Sequence, residues 1–438
     1  MNGPAPHAPR RVFGYWTCLA LVVGNMIGSG VYLLPATLAP FQWNGVAGWI
    51  VTIAGATCVA AVLGVLSRTL PLTGGPYAFS RAAFGPFTGF QVAWIYWASL
   101  WIGNAAIATG VVAPLATLVP AIAQHSVIAT CLIAWALIAL NCFDARAVGG
   151  VQVLTVALKF VPLLAIAALA VAILWSGGAR QLPPFDEQQL HLGGATGIGA
   201  AAAVTLWALT GLESATIPAE RVKDAGRTIF RATLSGTVIT GLLYLFVCSA
   251  VALLQPVELV SRSGAPMADF VRPYWGPAAA VVMALAAALS AFGSLNGMLL
   301  VQGEMPWAMA RDGVFPRALA PLSKRGTPVR AQLVSGVLLT IVLLINGSRS
   351  LTELFKFLIL LATLATVLPY LVCALAALKL KTRGTLAAGA WLLPTAVLAT
   401  LYSGWATWGA GTQAMLWGLL LILAGVPVYF LSRSAKAD

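Results

Sequence analysis

Long apolar runs separated by short polar connectors dominate the chain. Twelve can be marked, at about 13–38, 46–67, 84–113, 126–143, 147–175, 196–220, 230–254, 277–309, 331–346, 351–378, 389–408 and 413–431. Each is near or above the roughly 20 residues a helix needs to cross hydrocarbon, although 331–346 is short. The pattern predicts an all-α polytopic membrane protein with twelve transmembrane helices. A polar, Pro-rich tail at 1–12 ends in Arg10-Arg11, and a single transmembrane domain occupies 13–438. The first apolar run is too long for a signal peptide and lacks an A-x-A cleavage site.

Composition sharpens this picture. Only 8% of the 438 residues are charged, against 60% hydrophobic, where a soluble domain carries about 25% charge. That excludes a soluble enzyme, a disulfide scaffold and a disordered hub. The net charge of +13 is a topology signal. With both termini in the cytoplasm, 19 of the 25 Lys and Arg fall on cytoplasmic segments. Only Arg180, Arg262, Arg272 and Arg349 lie outside, while Lys159 and Lys356 lie within or at the ends of spans. This is the positive-inside bias, and no nucleic-acid partner is needed to explain the charge. The six cysteines are scattered through apolar runs without a C-x-x-C pair, and the three histidines lie in the tail or in loops. Neither a metal site nor a cofactor site is predicted. The chain has no phosphate-binding P-loop and no G-x-S-x-G elbow.

Two runs carry helix-breaking signals about five spans apart. The first contains Gly24-Asn25-Met26-Ile27-Gly28-Ser29-Gly30, and the sixth contains Trp207-Ala208-Leu209-Thr210-Gly211-Leu212-Glu213-Ser214. Glycines make departure from helical geometry cheap, and the freed backbone groups must then face protein or a cavity. Matching breaks in two halves of a chain point to a solute site near the bilayer midplane. The alternative for Gly24 and Gly28 is close helix packing. A half-helix starting near Ser29-Gly30 presents unpaired N–H groups that suit a carboxylate. The end of the preceding half of the sixth run, near Trp207 to Thr210, exposes carbonyls that suit an ammonium. Held side by side, those two groups are the backbone of an amino acid.

The stretch Gly24–Ala36 resembles the first helix of the amino acid–polyamine–organocation (APC) superfamily. Within it the chain looks most like bacterial arginine/agmatine antiporters of the basic amino acid/polyamine antiporter family. The likeness continues through Gly74-Gly75-Pro76-Tyr77, Phe84-Gly85-Pro86-Phe87, Tyr96-Trp97 and Trp101-Ile102-Gly103-Asn104. It returns at Val204–Trp207, Gly211–Ser214, Gly293-Ser294-Leu295, Asp312–Pro316, Gly326-Thr327-Pro328 and Pro369-Tyr370. The resemblance implies a leucine-transporter-type fold. Two inverted repeats of five helices, about 13–175 and 196–378, would be followed by two helices at about 389–431. It implies alternating access in a bacterial inner (plasma) membrane, a small amino acid or amine as substrate, and a homodimer.

By the same resemblance, Asn25, Met26, Gly28, Ser29 and Gly30 form the carboxylate end of the site, with carbonyls near Trp207 and Thr210 taking the amine. Trp207 would cover the substrate, Asn104 would meet its side chain, and Tyr96 would be a distal gate. Interhelical bonding is the alternative for Asn104, and core packing for Tyr96. Three departures bear on specificity. Met298 stands where the arginine/agmatine pattern has tryptophan, Ala362 where it has serine, and Ser99-Leu100 where it has Ala-Cys. These make the pocket more apolar and adaptable, so a neutral amino acid, carried by a proton-coupled permease or exporter, competes with a basic one.

Two charges fall within the apolar runs. Lys159 lies in the middle of the fifth and Glu213 follows the break in the sixth. Intramembrane charges are costly and mark functional sites by default. Each is a candidate for proton coupling, and each could instead be structural, Lys159 as a strut against the carbonyls at the first break. A channel would need a lined pore or charge rings, and a membrane enzyme a cluster of His, Asp and Glu. The sequence offers neither.

Overall fold

The computed structural model describes residues 14–434 except 73, 144, 179–181, 218, 220–221, 325, 346–350 and 410–411. The predicted tail at 1–12 lies outside the described residues. Among them the chain is helical throughout, with no strand.

The first apolar run is two helices, α1 (Tyr15–Met26) and α2 (Ser29–Leu38), and the second is α3 (Trp43–Thr69). A short α4 (Pro76–Phe84) precedes α5 (Pro86–Leu118). The two are parted at Gly85, whose φ of 92° no side-chain-bearing residue adopts readily, and Pro86 then starts α5 where its missing N–H costs nothing. The third run therefore does not begin as one helix at 84. After the single turn α6 (Pro120–Gln124) come α7 (Ser126–Phe143), α8 (Ala145–Trp175) and α9 (Ile198–Ala208). The second half of the chain contains α10 (Ala225–Leu253), α11 (Val257–Arg262), α12 (Pro266–Arg311), α13 (Val329–Ile345), α14 (Leu351–Thr382), α15 (Leu392–Gly409) and α16 (Thr412–Ser434).

The sixth run also differs from the sequence-based reading. It was expected to be broken but helical to about 220; α9 stops at Ala208, and 209–217 form turns around the left-handed Gly211 (φ 102°). The eighth run, expected over 277–309, starts as expected at Pro277: α12 joins a preceding helical segment, 266–275, to this span across the non-helical Gly276 (φ 81°, ψ 177°). Nine helices among the described residues are long and apolar enough to cross a membrane. α9, α13 and α15 account for the remaining predicted runs.

Burial sorts these helices into inner and outer ones. In the most apolar stretch of α5, 78% of residues are buried, against 28% for α7 and 17% for α16. α5 is thus the central post, packed on α12 and α14, whereas α7 and α16 keep apolar faces for lipid. α10 lies along α3 and α1, and α9 is wedged among α3, α14, α15 and α2. Both broken elements therefore sit inside the bundle.

Candidate functional site

The break in the first span is a matched set of bonds. α1 ends at Met26, Ile27 and Gly28 leave helical geometry, and α2 starts at Ser29. The last carbonyls of a helix have no partner in their own helix, yet here four consecutive ones accept from distant side chains. Lys159 Nζ donates to the Gly24 carbonyl at 2.7 Å and Ser294 Oγ to that of Asn25 at 3.2 Å. Tyr244 Oη donates to the Met26 carbonyl at 2.8 Å and Ser290 Oγ to that of Ile27 at 3.4 Å. The opposite end differs. Among the described residues no side chain caps the start of α2, which leaves its first N–H groups open to an anion. The Ser29 side chain lies outside the described residues.

The second break touches the first. A Cβ on Gly211 would sit 3.2 Å from Asn25 Cβ and 3.4 Å from Met26 N, so only glycine allows this approach. Asn25 Nδ2 donates to Ser214 Oγ at 3.0 Å and joins the two breaks. Among the carbonyls near Trp207 to Thr210 expected to take an amine, that of Trp207 is already engaged. It accepts from Thr210 N at 3.1 Å and Thr210 Oγ1 at 2.7 Å. The carbonyls of Ala208, Leu209 and Thr210 accept no backbone hydrogen bond among the described residues, and they are the open acceptors.

Trp207 is buried, and its indole bridges two elements. A Cβ on Gly30 would lie 3.3 Å from Trp207 Cδ1, and one on Gly103 would lie 3.0 Å from Trp207 Cη2 and 3.6 Å from Ala362 Cβ. The ring therefore spans from the start of α2 to α5. Gly103→Val should obstruct it and lower transport by about tenfold, the effect of moderate overpacking. Transport by vesicles holding equal amounts of folded variant checks this; a wild-type rate would mean the indole does not need that space.

The other predicted residues divide. Met298 and Ala362 share the main apolar cluster with Met26 and Trp207. Tyr96 and Leu100 belong to a second cluster with Tyr77, Trp97 and Phe315. Ser99 Oγ turns back onto the Tyr96 carbonyl at 2.7 Å. Asn104 Nδ2 donates to Gln302 Oε1 at 2.7 Å, so interhelical bonding is what it does here. Gln302 was missed from the sequence. It is fully buried and its Nε2 has no partner among the described residues, which makes it a second polar side chain at the Asn104 end.

Glu213 is buried in the turn after the second break. Its carboxylate accepts from Tyr96 Oη at 2.8 Å, Tyr370 Oη at 2.5 Å and Gly211 N at 3.1 Å. Among the described residues three donors and no cation hold it, an arrangement that ties α5 and α14 to the unwound segment. Tyr370 was quoted in a motif without a role; its signal was a phenol placed one residue after Pro369 in an otherwise apolar run.

The chain matches the amino acid permease family over residues 13–406. It belongs to that family, and so to the APC superfamily. The permease is 32% identical over 402 residues to a Bacillus subtilis (strain 168) protein provisionally named an arginine/ornithine antiporter, covering 85% of each chain. It is 30% identical to the cadaverine/lysine antiporter of Escherichia coli (strain K12), covering 82% of each. With the putrescine transporter of Haemophilus influenzae it shares 29% identity, over 93% of this chain and 94% of that one. The permease is an integral membrane transporter of amino acid or amine substrates, not an enzyme.

Within the permease, Lys159 is fully buried in α8, and among the described residues no carboxylate lies within ion-pair distance of it. Its Nζ instead lies at the negative end of the α1 dipole, on the Gly24 carbonyl. Farther along, α4 meets the end of α12. Arg81 Nη1 donates to Tyr77 Oη at 3.0 Å and to Asp312 Oδ2 at 3.3 Å, and Tyr77 Oη donates to the same oxygen at 3.2 Å. Burial, and then the Asp312 carboxylate, push the Tyr77 phenol up to about 12, so it stays a donor at neutral pH. Arg81 is half exposed, so this latch is worth about 1 kcal/mol at most. Arg81→Gln should raise maleimide labelling of a cysteine introduced at Ala78 by no more than about fivefold. A much larger rise would mean that Arg81 alone holds the two elements together.

Proposed function

We propose that the permease is a secondary exchanger working by alternating access, taking up one amino acid against another or against an amine. The observation that carries this reading is the contact between two broken spans. The open N–H groups of α2 and the free carbonyls of Ala208 to Thr210 flank the buried Trp207 indole. In this reading the backbone at Met26, Gly28, Ser29 and Gly30 holds the substrate carboxylate, the Ala208–Thr210 carbonyls take its amine, and Trp207 closes over it. The Asn104–Gln302 pair and Met298 then face the substrate side chain. Twelve transmembrane helices complete the proposed architecture, two inverted repeats of five over about 13–175 and 196–378 plus two at about 389–431. Both termini lie in the cytoplasm by the charge bias, in the inner membrane of a bacterium.

Basic amino acids and their amines lead as substrates because relatives are named for arginine, ornithine, lysine, cadaverine and putrescine. Neutral amino acids are the second reading, favoured by the apolar Met298 and Ala362. The deciding experiment is uptake of labelled arginine and, separately, labelled leucine by proteoliposomes loaded with unlabelled arginine, ornithine, lysine, agmatine, putrescine, leucine or no solute. Trans-stimulation by the cationic set alone supports basic exchange. Stimulation by leucine alone supports the neutral reading, and uptake independent of internal solute overturns exchange.

A further inference from the structure

The first turns of α10 and the end of α3 build a basic pocket that the substrate pathway does not use. It has a volume of about 580 Å3 and is lined by Arg68, Arg227 and Arg231, with Asp224 the one acidic group among the described residues. None of the three guanidinium groups has a hydrogen bond or ion pair among the described residues, and all three residues are exposed. Arg68 is held against α10 by Gly226, where an added Cβ would lie 2.8 Å from Arg68 Cγ. Three guanidinium groups against one carboxylate, converging from two helix ends, make a seat for a phosphate.

This pocket does not stand alone. It shares Phe230 and Arg231 with a second pocket of about 670 Å3 that runs along α10 past Leu234, Val238 and Ile239. Tyr15 of α1 forms the other wall, and its hydroxyl shares a hydrogen bond with Ser235 Oγ at 3.0 Å. Ile239 is half exposed, and Leu242, the next residue on that face, is likewise exposed. Trp16, edge-on to Tyr15, and Trp391, edge-on to Phe230, are both exposed beside this groove, and exposed tryptophans are enriched at membrane–water interfaces. A phosphate seat that opens into an apolar groove at the end of membrane spans has the two-part chemistry of a phospholipid.

We infer that Arg68, Arg227 and Arg231 bind the headgroup of an anionic phospholipid whose acyl chain lies in the groove between α1 and α10. Both volumes fall within the range of ordinary ligand pockets, and the charge complementarity excludes a zwitterionic lipid as the preferred occupant. A lipid seated there touches α1 directly, the half of the first span that carries the carbonyls bonded by Lys159. The proposed orientation assigns the lipid to the cytoplasmic leaflet, but the binding itself does not depend on that orientation or on the substrate.

The test is native mass spectrometry of the purified full chain with phosphatidylglycerol or phosphatidylcholine added separately. Wild-type protein should retain phosphatidylglycerol preferentially, less so as salt is raised. Arg68→Gln, Arg227→Gln and Arg231→Gln should each weaken retention by about fivefold, and the triple variant should lose the preference. Inorganic phosphate alone should not displace the lipid, because it cannot fill the groove. Equal retention of the two lipids by wild type, which requires no variant to fold, overturns the inference. So does undiminished phosphatidylglycerol binding by a folded triple variant, or its displacement by inorganic phosphate, which would reduce the pocket to an anion site.

Discussion

Lys159→Met should lower transport by roughly a hundredfold and leave a less stable protein. Methionine keeps most of the side-chain volume but removes the ammonium that donates to the Gly24 carbonyl at 2.7 Å. A hydrogen bond from a charged group contributes about 1.5–3 kcal/mol, and leaving its buried partner unbonded costs about 1–3 kcal/mol. A cation at a helix C-terminus adds up to about 2 kcal/mol where it is partly buried. These effects overlap, so about 3 kcal/mol is the working figure, close to a hundredfold in the population of the bonded break. The same experiment separates the two sequence readings of this residue. Rates lost equally at every pH identify a strut holding α1 against α8. Rates that survive with a flattened pH profile identify a coupling site. A wild-type rate and profile would remove Lys159 from both roles.

Glu213→Leu should be more damaging to stability, by about 3–5 kcal/mol, because it strands three donors in a buried place. Thermal unfolding in detergent reads this directly. Glu213→Gln is the finer probe. Its amide oxygen can still accept from one tyrosine, while its NH2 requires the other hydroxyl to turn and accept. The fold should survive, and any proton carried by the carboxylate should be lost. Transport by Glu213→Gln that keeps its pH dependence would sink the proton-carrier role and leave a purely structural carboxylate. Tyr370→Phe removes one of the three donors and should cost less than Glu213→Leu. An equal cost would mean that the carboxylate depends on that single phenol.

The two breaks were legible because their signals are local. Gly28 and Gly211 sit inside apolar runs, and an interruption at such a position must be served by neighbouring protein. Lys159 and Glu213 were legible because a charge within hydrocarbon is rare. Their partners were not. Tyr244, Ser290 and Ser294 read as ordinary polar residues of apolar helices until each proves to serve one carbonyl of the first break. Gln302 and Tyr370 are similarly anonymous until the fold sets them against Asn104 and Glu213. That Thr210, three residues on, bonds back to the Trp207 carbonyl with both N–H and hydroxyl was likewise not legible.

By itself, then, the order of apolar and polar residues determined that this chain crosses a membrane repeatedly, where its first and sixth spans break, and which charges lie within them. These follow from what hydrocarbon tolerates, residue by residue, without regard to neighbours. Only the tertiary structure decided which side chains serve the broken backbone, that α9 is followed by turns instead of a second half-helix, and that Trp207 rests between Gly30 and Gly103. Those outcomes depend on contacts between residues as much as 269 positions apart, as for Ser294 and Asn25. Packing brings such residues together, and no local pattern records the pairing.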